Sequence, residues 1–148
     1  MSGKRIIGTV EKVKVVKNEE EMIDVEAKID TGAASTSIDT ELARKIGFGA
    51  VVEAFFSLDF SSYKLVPENE SYIKKDILKK YQEQIPGMED VAVVFSSSGS
   101  TIRPVVKIEF MMDKERVVSK VNIVNRKHLK YPMIIGKKDL KKFLIEVK

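Results

Sequence analysis

There is no cysteine in these 148 residues and only one histidine, His128. The first absence excludes disulfides, thiolate catalysis and cysteine-based zinc sites. The second excludes an HExxH helix and any multi-histidine metal cluster. No metal and no cofactor is therefore expected. His128 stands beside a lysine cluster and reads as a surface residue. No apolar run approaches the ~20 residues that a membrane helix needs. The N-terminal Met-Ser-Gly-Lys-Arg-Ile-Ile-Gly lacks the apolar core of a secretory signal. The expectation is a cytoplasmic chain without membrane segments. A strong charge of one sign is missing too. The 26 basic and 22 acidic residues leave +4, spread along the chain rather than gathered in a stripe. That mild excess reads first as a solvated lysine-rich surface, and it is also compatible with an acidic partner. The aromatic-basic platform of single-strand binders is not visible, so nucleic acid is not an expected partner.

What is present is an ordinary globular share of apolar residues, 43%. The length is enough to bury a core within one domain, residues 1–148. Lys4 to Val16 alternates imperfectly as a strand, with Gly8 as a bulge. A polar turn follows, then Met22 to Ile29 as the returning strand of a hairpin. Asp39 or Thr40 can cap a short helix that carries Leu42 and Ile46 on its inner side and ends at Gly47. Val51 to Tyr63 is apolar and aromatic, with its element type left open. Ser71 can cap a helix whose Ile73, Ile77, Leu78, Tyr81 and Ile85 recur at helical spacing until Pro86-Gly87 stops it. Strands are expected over Val91–Phe95, Ile102–Met112, Arg116–Val124 and Met133–Ile135. Arg126–Lys130 reads as a loop or a single helical turn, a helical turn is expected through about Phe143, and a last strand over Leu144–Val147. Pro104 argues for a strand edge or an irregular entry. Short strands without a strand-helix rhythm predict a mainly β, closed barrel with a few short helices.

The chemistry gathers at Ile29-Asp30-Thr31-Gly32-Ala33-Ala34-Ser35-Thr36-Ser37. The strand before it delivers a carboxylate into a turn of small residues. Gly32 permits close approach, and the hydroxyls of Thr31, Ser35, Thr36 and Ser37 can tie the turn together. By itself, Asp-Thr-Gly is equally compatible with a plain strand-to-turn connection. A second segment, Tyr131-Pro132-Met133-Ile134-Ile135-Gly136-Lys137-Lys138-Asp139-Leu140, sets an apolar pair before a glycine and a short helical start.

Asp-Thr-Gly-Ala followed downstream by apolar-apolar-Gly-basic resembles the two-part signature of retropepsin-like aspartic proteases. Ser96-Ser97-Ser98-Gly99, Arg103-Pro104-Val105-Val106, Asn125-Arg126 and Tyr131-Pro132 resemble, more closely, the standalone prokaryotic group labelled "ATP-dependent zinc protease". That group is retropepsin-like despite its label and is associated with ATP-grasp peptide ligases. The resemblance runs from about Lys4 to Leu140. It implies a closed retropepsin-like barrel, with 48–87 as a partly helical insertion of unassigned role.

The resemblance implies an aspartic endopeptidase with Asp30 as the catalytic acid. Thr31, Gly32 and Ala33 would form its loop, Thr31 bonding across a dimer axis and Gly32 lying beside water and substrate. Ile134, Ile135 and Gly136 would support that loop from beneath. Ser97, Ser98 and Gly99 would face substrate, and Arg103 would contact a substrate carboxylate or, alternatively, make a structural salt bridge. Aspartic proteolysis needs two carboxylates sharing a proton, yet Asp-Thr-Gly occurs once. Asp39, Asp59, Asp76, Asp90, Asp113 and Asp139 have ordinary turn or helix contexts. A homodimer would supply the second Asp30, and the group's link to ATP-grasp ligases implies a peptide substrate, with an acidic or glutamate-rich tail as one candidate. The chain departs from the group's pattern at Ala34 and Ile38-Asp39, where a basic residue and then a histidine are usual, and at Asn125, where an acid is usual. These departures bear on substrate preference. The competing expectation is a catalytically silent peptide- or partner-binding module on the same barrel.

Overall fold

The alternation of Val25, Ala27 and Ile29 with Asp24, Glu26 and Lys28 sends one set inward and one outward, and the computed structural model follows it. The structure describes residues 5–97, 99–125 and 130–145. The segment expected at Arg126–Lys130, apart from Lys130, lies outside the described residues, as do Ser98 and residues 146 and 147 of the last expected strand.

The expected first strand is two. β1 (Arg5–Ile7) and β2 (Val10–Val16) are separated at Gly8-Thr9. The Gly8 N–H donates to Glu11 Oε1 at 2.7 Å. The break lets β1 leave the hairpin and pair in parallel with β9 (Phe143–Ile145) at the other end of the chain. β2 and β3 (Met22–Ile29) form the antiparallel hairpin, with Val13 opposite Val25. β4 (Ser37–Asp39) follows the Asp30 loop.

Asp39 then caps α1 (Thr40–Ala43), its Oδ1 accepting from Leu42 N at 2.7 Å. Leu42 and Ile46 are buried, as their spacing predicts. Gly47 does not end the helical run. Its φ of 103° makes a kink inside a wide helical turn, Arg44–Phe48, and the chain continues as α2 (Gly49–Phe56). The open question over the aromatic stretch is thus answered by helix as far as Phe56. Val51, Val52 and Phe55 bury one side of it. Phe60 then stacks its ring 5.1 Å from Phe55 and 6.4 Å from Tyr81. α3 (Glu70–Tyr81) carries Ile73 and Ile77 inward. Ser71 is not its cap: the helix begins one residue earlier, after Asn69 and a short turn that opens on Pro67. It also stops earlier than Pro86. A tight turn over Gln82–Gln84 ends it, and Gly87 takes a φ of 97° that favours glycine.

β5 (Asp90–Val94), β6 (Thr101–Met112) and β7 (Glu115–Val124) form an antiparallel meander. Asp113 and Lys114, both at positive φ, make the two-residue turn between β6 and β7. Pro104 faces Val91 of β5, while the β6–β7 ladder starts one residue later at Val105–Asn122. Its missing N–H therefore costs that ladder nothing. β8 (Met133–Ile135) lies parallel to β3 and antiparallel to β4, and the helical turn after it covers only Lys137–Asp139.

The ring runs β2-β3-β8-β4-β7-β6 and closes through β6 back onto β2, with Val13 opposite Met112. It is a six-strand mixed barrel, and β5 hangs from β6 outside the ring. Closure is what removes exposed edges from strands this short. Inside it Val13, Ala27, Ile38, Val106, Phe110, Ile123 and Ile135 are fully buried. α2 and α3 pack beside it, and Phe55, Ile73 and Ile77 join the same apolar cluster. No helix among the described residues is long and apolar enough to cross a membrane.

Candidate active site

Asp30 stands where β3 leaves the sheet. Its backbone N–H still donates to Ile135 O on β8 at 3.0 Å, so the last ladder bond of β3 fixes the acid's Cα. Its Oδ1 accepts from Gly32 N at 2.9 Å, and its carbonyl accepts from Ala33 N at 3.2 Å. These two bonds fold the loop into a tight turn over the carboxylate. Asp30 is half-buried, while Thr31 and Gly32 are exposed. A β-carbon at Gly32 would sit 3.2 Å from Asp30 Oδ1, so any side chain there would crowd the acid.

The loop rests on the segment after β8. Lys137 N donates to Ala33 O at 2.7 Å and Lys138 N to Ala34 O at 3.1 Å. Gly136 N donates to Thr36 Oγ1 at 3.1 Å. Gly136 passes so close to Ser35 that a β-carbon would lie 2.3 Å from its carbonyl carbon. Ile135 is buried beneath this crossing and Ile134 half-buried beside it. The crossing behind the Asp30 loop is thus built from Ile134, Ile135 and Gly136.

Two residues to which the sequence by itself assigns no role, Asp139 and Asn122, complete the support. By its sequence context Asp139 is an ordinary turn acid. Its Oδ2 instead accepts from Thr36 Oγ1 at 2.5 Å and from Ser119 Oγ at 2.6 Å. It therefore orients the hydroxyl that receives the Gly136 N–H. Asn122 is buried on β7. Its backbone N and its Nδ2 both donate to Thr36 O, at 3.1 and 3.3 Å. Its Oδ1 accepts from Ser37 Oγ and from Arg103 Nη1, each at 2.9 Å. The only sequence signal for Asn122 was an amide interrupting a strand of valines and isoleucines. Arg103 is held further by Nε donating to Thr101 Oγ1 at 3.0 Å.

Beside the loop is a cleft of about 510 Å³. Gly32, Ala33 and Ser35 form one wall and β5, with Phe95, another. Arg103, Lys74 and Lys138 bring three cations to it, against Glu70. Lys74 and Glu70 belong to α3, so the helical segment supplies part of this wall. Lys74 also lies 3.8 Å from Asp90. Asp30 is one hydrogen bond from the wall, through Gly32. Ser97 and Gly99 lie in the exposed turn between β5 and β6, closed by Ser96 Oγ donating to Gly99 O at 2.6 Å. Neither lines the cleft. Among the described residues no three histidine or carboxylate side chains gather as a metal site would require.

The closed six-strand mixed barrel with its packed helices is the fold class of retropepsin-like proteins. The family model of RimB-like proteins, described as retropepsin-like aspartic endopeptidase RimB, matches residues 38–148, most of the chain. The chain belongs to this family of retropepsin-like aspartic endopeptidases. The match begins beyond the Asp30 loop. Among solved structures the chain is similar to Lpg0085 of Legionella pneumophila, a DUF785 protein of unknown function. The two share 21% identity over 97% of this chain and 92% of that one, with a TM-score of 0.51, a likeness of fold. No curated protein matches the sequence.

Proposed function

We propose that two copies of this chain form an aspartic endopeptidase in which one Asp30 from each copy makes the reaction centre. The observation that carries the reading is the braced, half-buried Asp30 in a chain with a single Asp-Thr-Gly. Among the described residues only Oδ1 of that carboxylate has a hydrogen-bond partner, Gly32 N. The other oxygen is available to a second carboxylate or to water. Two carboxylates about 3 Å apart cannot both ionise, so the pair shares a proton. The ionised member takes a proton from the attacking water. The protonated member donates to the scissile carbonyl oxygen. The tetrahedral intermediate then collapses, the C–N bond breaks and the amine leaves with a proton. The titration belongs to the pair rather than to either acid. Exposed Thr31 and Gly32 are where the partner loop would meet this one, and Ala33, Ile134, Ile135 and Gly136 hold the loop in place.

The substrate is a peptide of acidic character. Support comes from Arg103, Lys74 and Lys138 around the cleft, with Glu70 their only acidic companion on its walls among the described residues. Arg103 is pre-aimed by Asn122 and Thr101, which suits carboxylate recognition by a guanidinium. Ser97 and Gly99, in the turn between β5 and β6, would face the bound chain.

The test is cleavage of glutamate-rich peptides by the wild type and Asp30→Asn, with sedimentation equilibrium on both. The wild type should be dimeric and cleave, and Asp30→Asn should stay folded and lose at least a thousandfold in kcat. Retained cleavage in Asp30→Asn, or a strictly monomeric active species, overturns the assignment. Tight binding by the wild type without turnover at any pH would instead favour the silent binding module.

A further inference from the structure

A second cavity, of about 400 Å³, lies between the helical segment and the start of β6. Phe56, Phe60 and Leu65 line one side of it, and Ile102 and Val124 the other. The four hydrophobic residues Phe56, Phe60, Leu65 and Ile102 are half-buried with their backs on the main core, so the cavity has a packed floor. Its rim is hydroxylic, with Ser61 and Thr101 exposed there. This size and an apolar lining with a few polar groups are typical of a ligand pocket.

One residue ties it to the Asp30 cleft. Arg103 lines both spaces. Its guanidinium is fixed by Asn122 Oδ1 at 2.9 Å and Thr101 Oγ1 at 3.0 Å, so it is a rigid partition rather than a swinging gate. The far wall is rigid as well, because the Phe60 ring is wedged among Phe55, Tyr63 and Tyr81. An extended peptide laid along the cleft and over Arg103 meets the mouth of this cavity next.

We propose that the cavity is a specificity subsite that takes an apolar side chain, of leucine or phenylalanine size, from the same peptide whose acidic part occupies the cleft. The helical segment then has a defined task, since it supplies Lys74 to the charged half and Phe56, Phe60 and Leu65 to the apolar half. Recognition is bipartite, with carboxylates on one side of Arg103 and one apolar anchor on the other. The inference rests on the peptide-cleaving reading, so its test is a binding measurement that needs no turnover.

The probes are blocked hexapeptides of glutamate in which a single leucine, or a single alanine in its place, is stepped through each position. They are titrated calorimetrically into the 148-residue Asp30→Asn chain. At one position leucine should bind about tenfold more tightly than alanine, as expected for a largely buried aliphatic side chain. Ser61→Trp fills the mouth of the cavity, and Leu65→Asn puts an amide in its wall. In either background the leucine preference should fall to within about twofold while affinity for the alanine peptides is kept. The chain has no native tryptophan, so blue-shifted emission in Ser61→Trp reports that the ring is inside. Equal affinity for leucine and alanine peptides at every position, or a leucine preference unchanged in both variants, overturns the subsite. No measurable affinity for any peptide overturns it too. Peptide cleavage by the wild type in those same cases would leave the peptidase reading standing, and a leucine preference without cleavage would leave the subsite standing.

Discussion

Gly136→Ala isolates the physical reason that the Asp30 loop and the strand behind it form one unit. The backbone at Gly136 has φ −89° and ψ 171°, a conformation open to any residue. At such a site replacing glycine by alanine ordinarily stabilises by about 0.4–1 kcal/mol, because the unfolded chain loses freedom. Here the added β-carbon would lie 2.3 Å from the Ser35 carbonyl carbon, 2.4 Å from its oxygen and 2.8 Å from its Cα. All three are backbone atoms, so no rotamer change relieves the contact. Ordinary contact starts near 3.4 Å, so the two segments must part by about 1 Å. Four hydrogen bonds span that gap: Asp30 N to Ile135 O, Gly136 N to Thr36 Oγ1, Lys137 N to Ala33 O and Lys138 N to Ala34 O. At about 1 kcal/mol each, most of them lost and the entropic gain subtracted, Gly136→Ala should destabilise by roughly 2–3 kcal/mol. Urea unfolding followed by circular dichroism measures this, and peptide cleavage should fall with it because Asp30 loses its brace. An unfolding free energy equal to or above that of the wild type would refute the reasoning, since the sign itself separates close approach from backbone preference.

Other outcomes follow from the same hydrogen-bond map. Asn122→Ala strips Ser37 Oγ and Arg103 Nη1 of an acceptor and removes one donor from Thr36 O. It should cost about 2–3 kcal/mol in urea unfolding, and KM for acidic peptides should rise more than kcat falls as Arg103 comes loose. Asn122→Asp keeps both acceptors and should cost less. In the helical segment the Tyr63 hydroxyl, and then Lys80 at 3.0 Å, hold the Asp76 carboxyl below the usual carboxylate range. A depressed acid contributes stability above its unfolded pKa of about 3.9, and that contribution disappears as pH falls through its folded value. Burial and then Asp76 push the Tyr63 phenol up. A raised phenol contributes below about pH 10 and stops contributing as pH climbs through its folded value. Thermal melts of Asp76→Asn should therefore lie below the wild type between about pH 4 and 10 and converge with it in stronger acid. A constant offset down to pH 2 would contradict this.

The sequence by itself determined the barrel's local content. Alternation in Met22–Ile29, Ile102–Met112 and Arg116–Val124 depends only on the period of two between neighbours along one strand, and the inward set Val25, Ala27, Ile29 is inward in the structure. The Asp30 turn was legible for the same reason, since its bonds to Gly32 N and Ala33 N span only a few residues. The brace of Ile134, Ile135 and Gly136 was legible only through resemblance, because its partners lie about a hundred residues away. What contact at a distance decides had no local signal. Gly8 separates two strands because β1 finds β9 at the other end of the chain. Gly47 kinks a helical run instead of ending it, because the aromatic residues beyond it have a core to join. Asp139 and Asn122 look like a turn acid and a strand amide until the fold sets Thr36 between them. Periodicity is a property of neighbours along the chain, whereas the partner of a buried polar group is chosen by which strands the closed ring brings together.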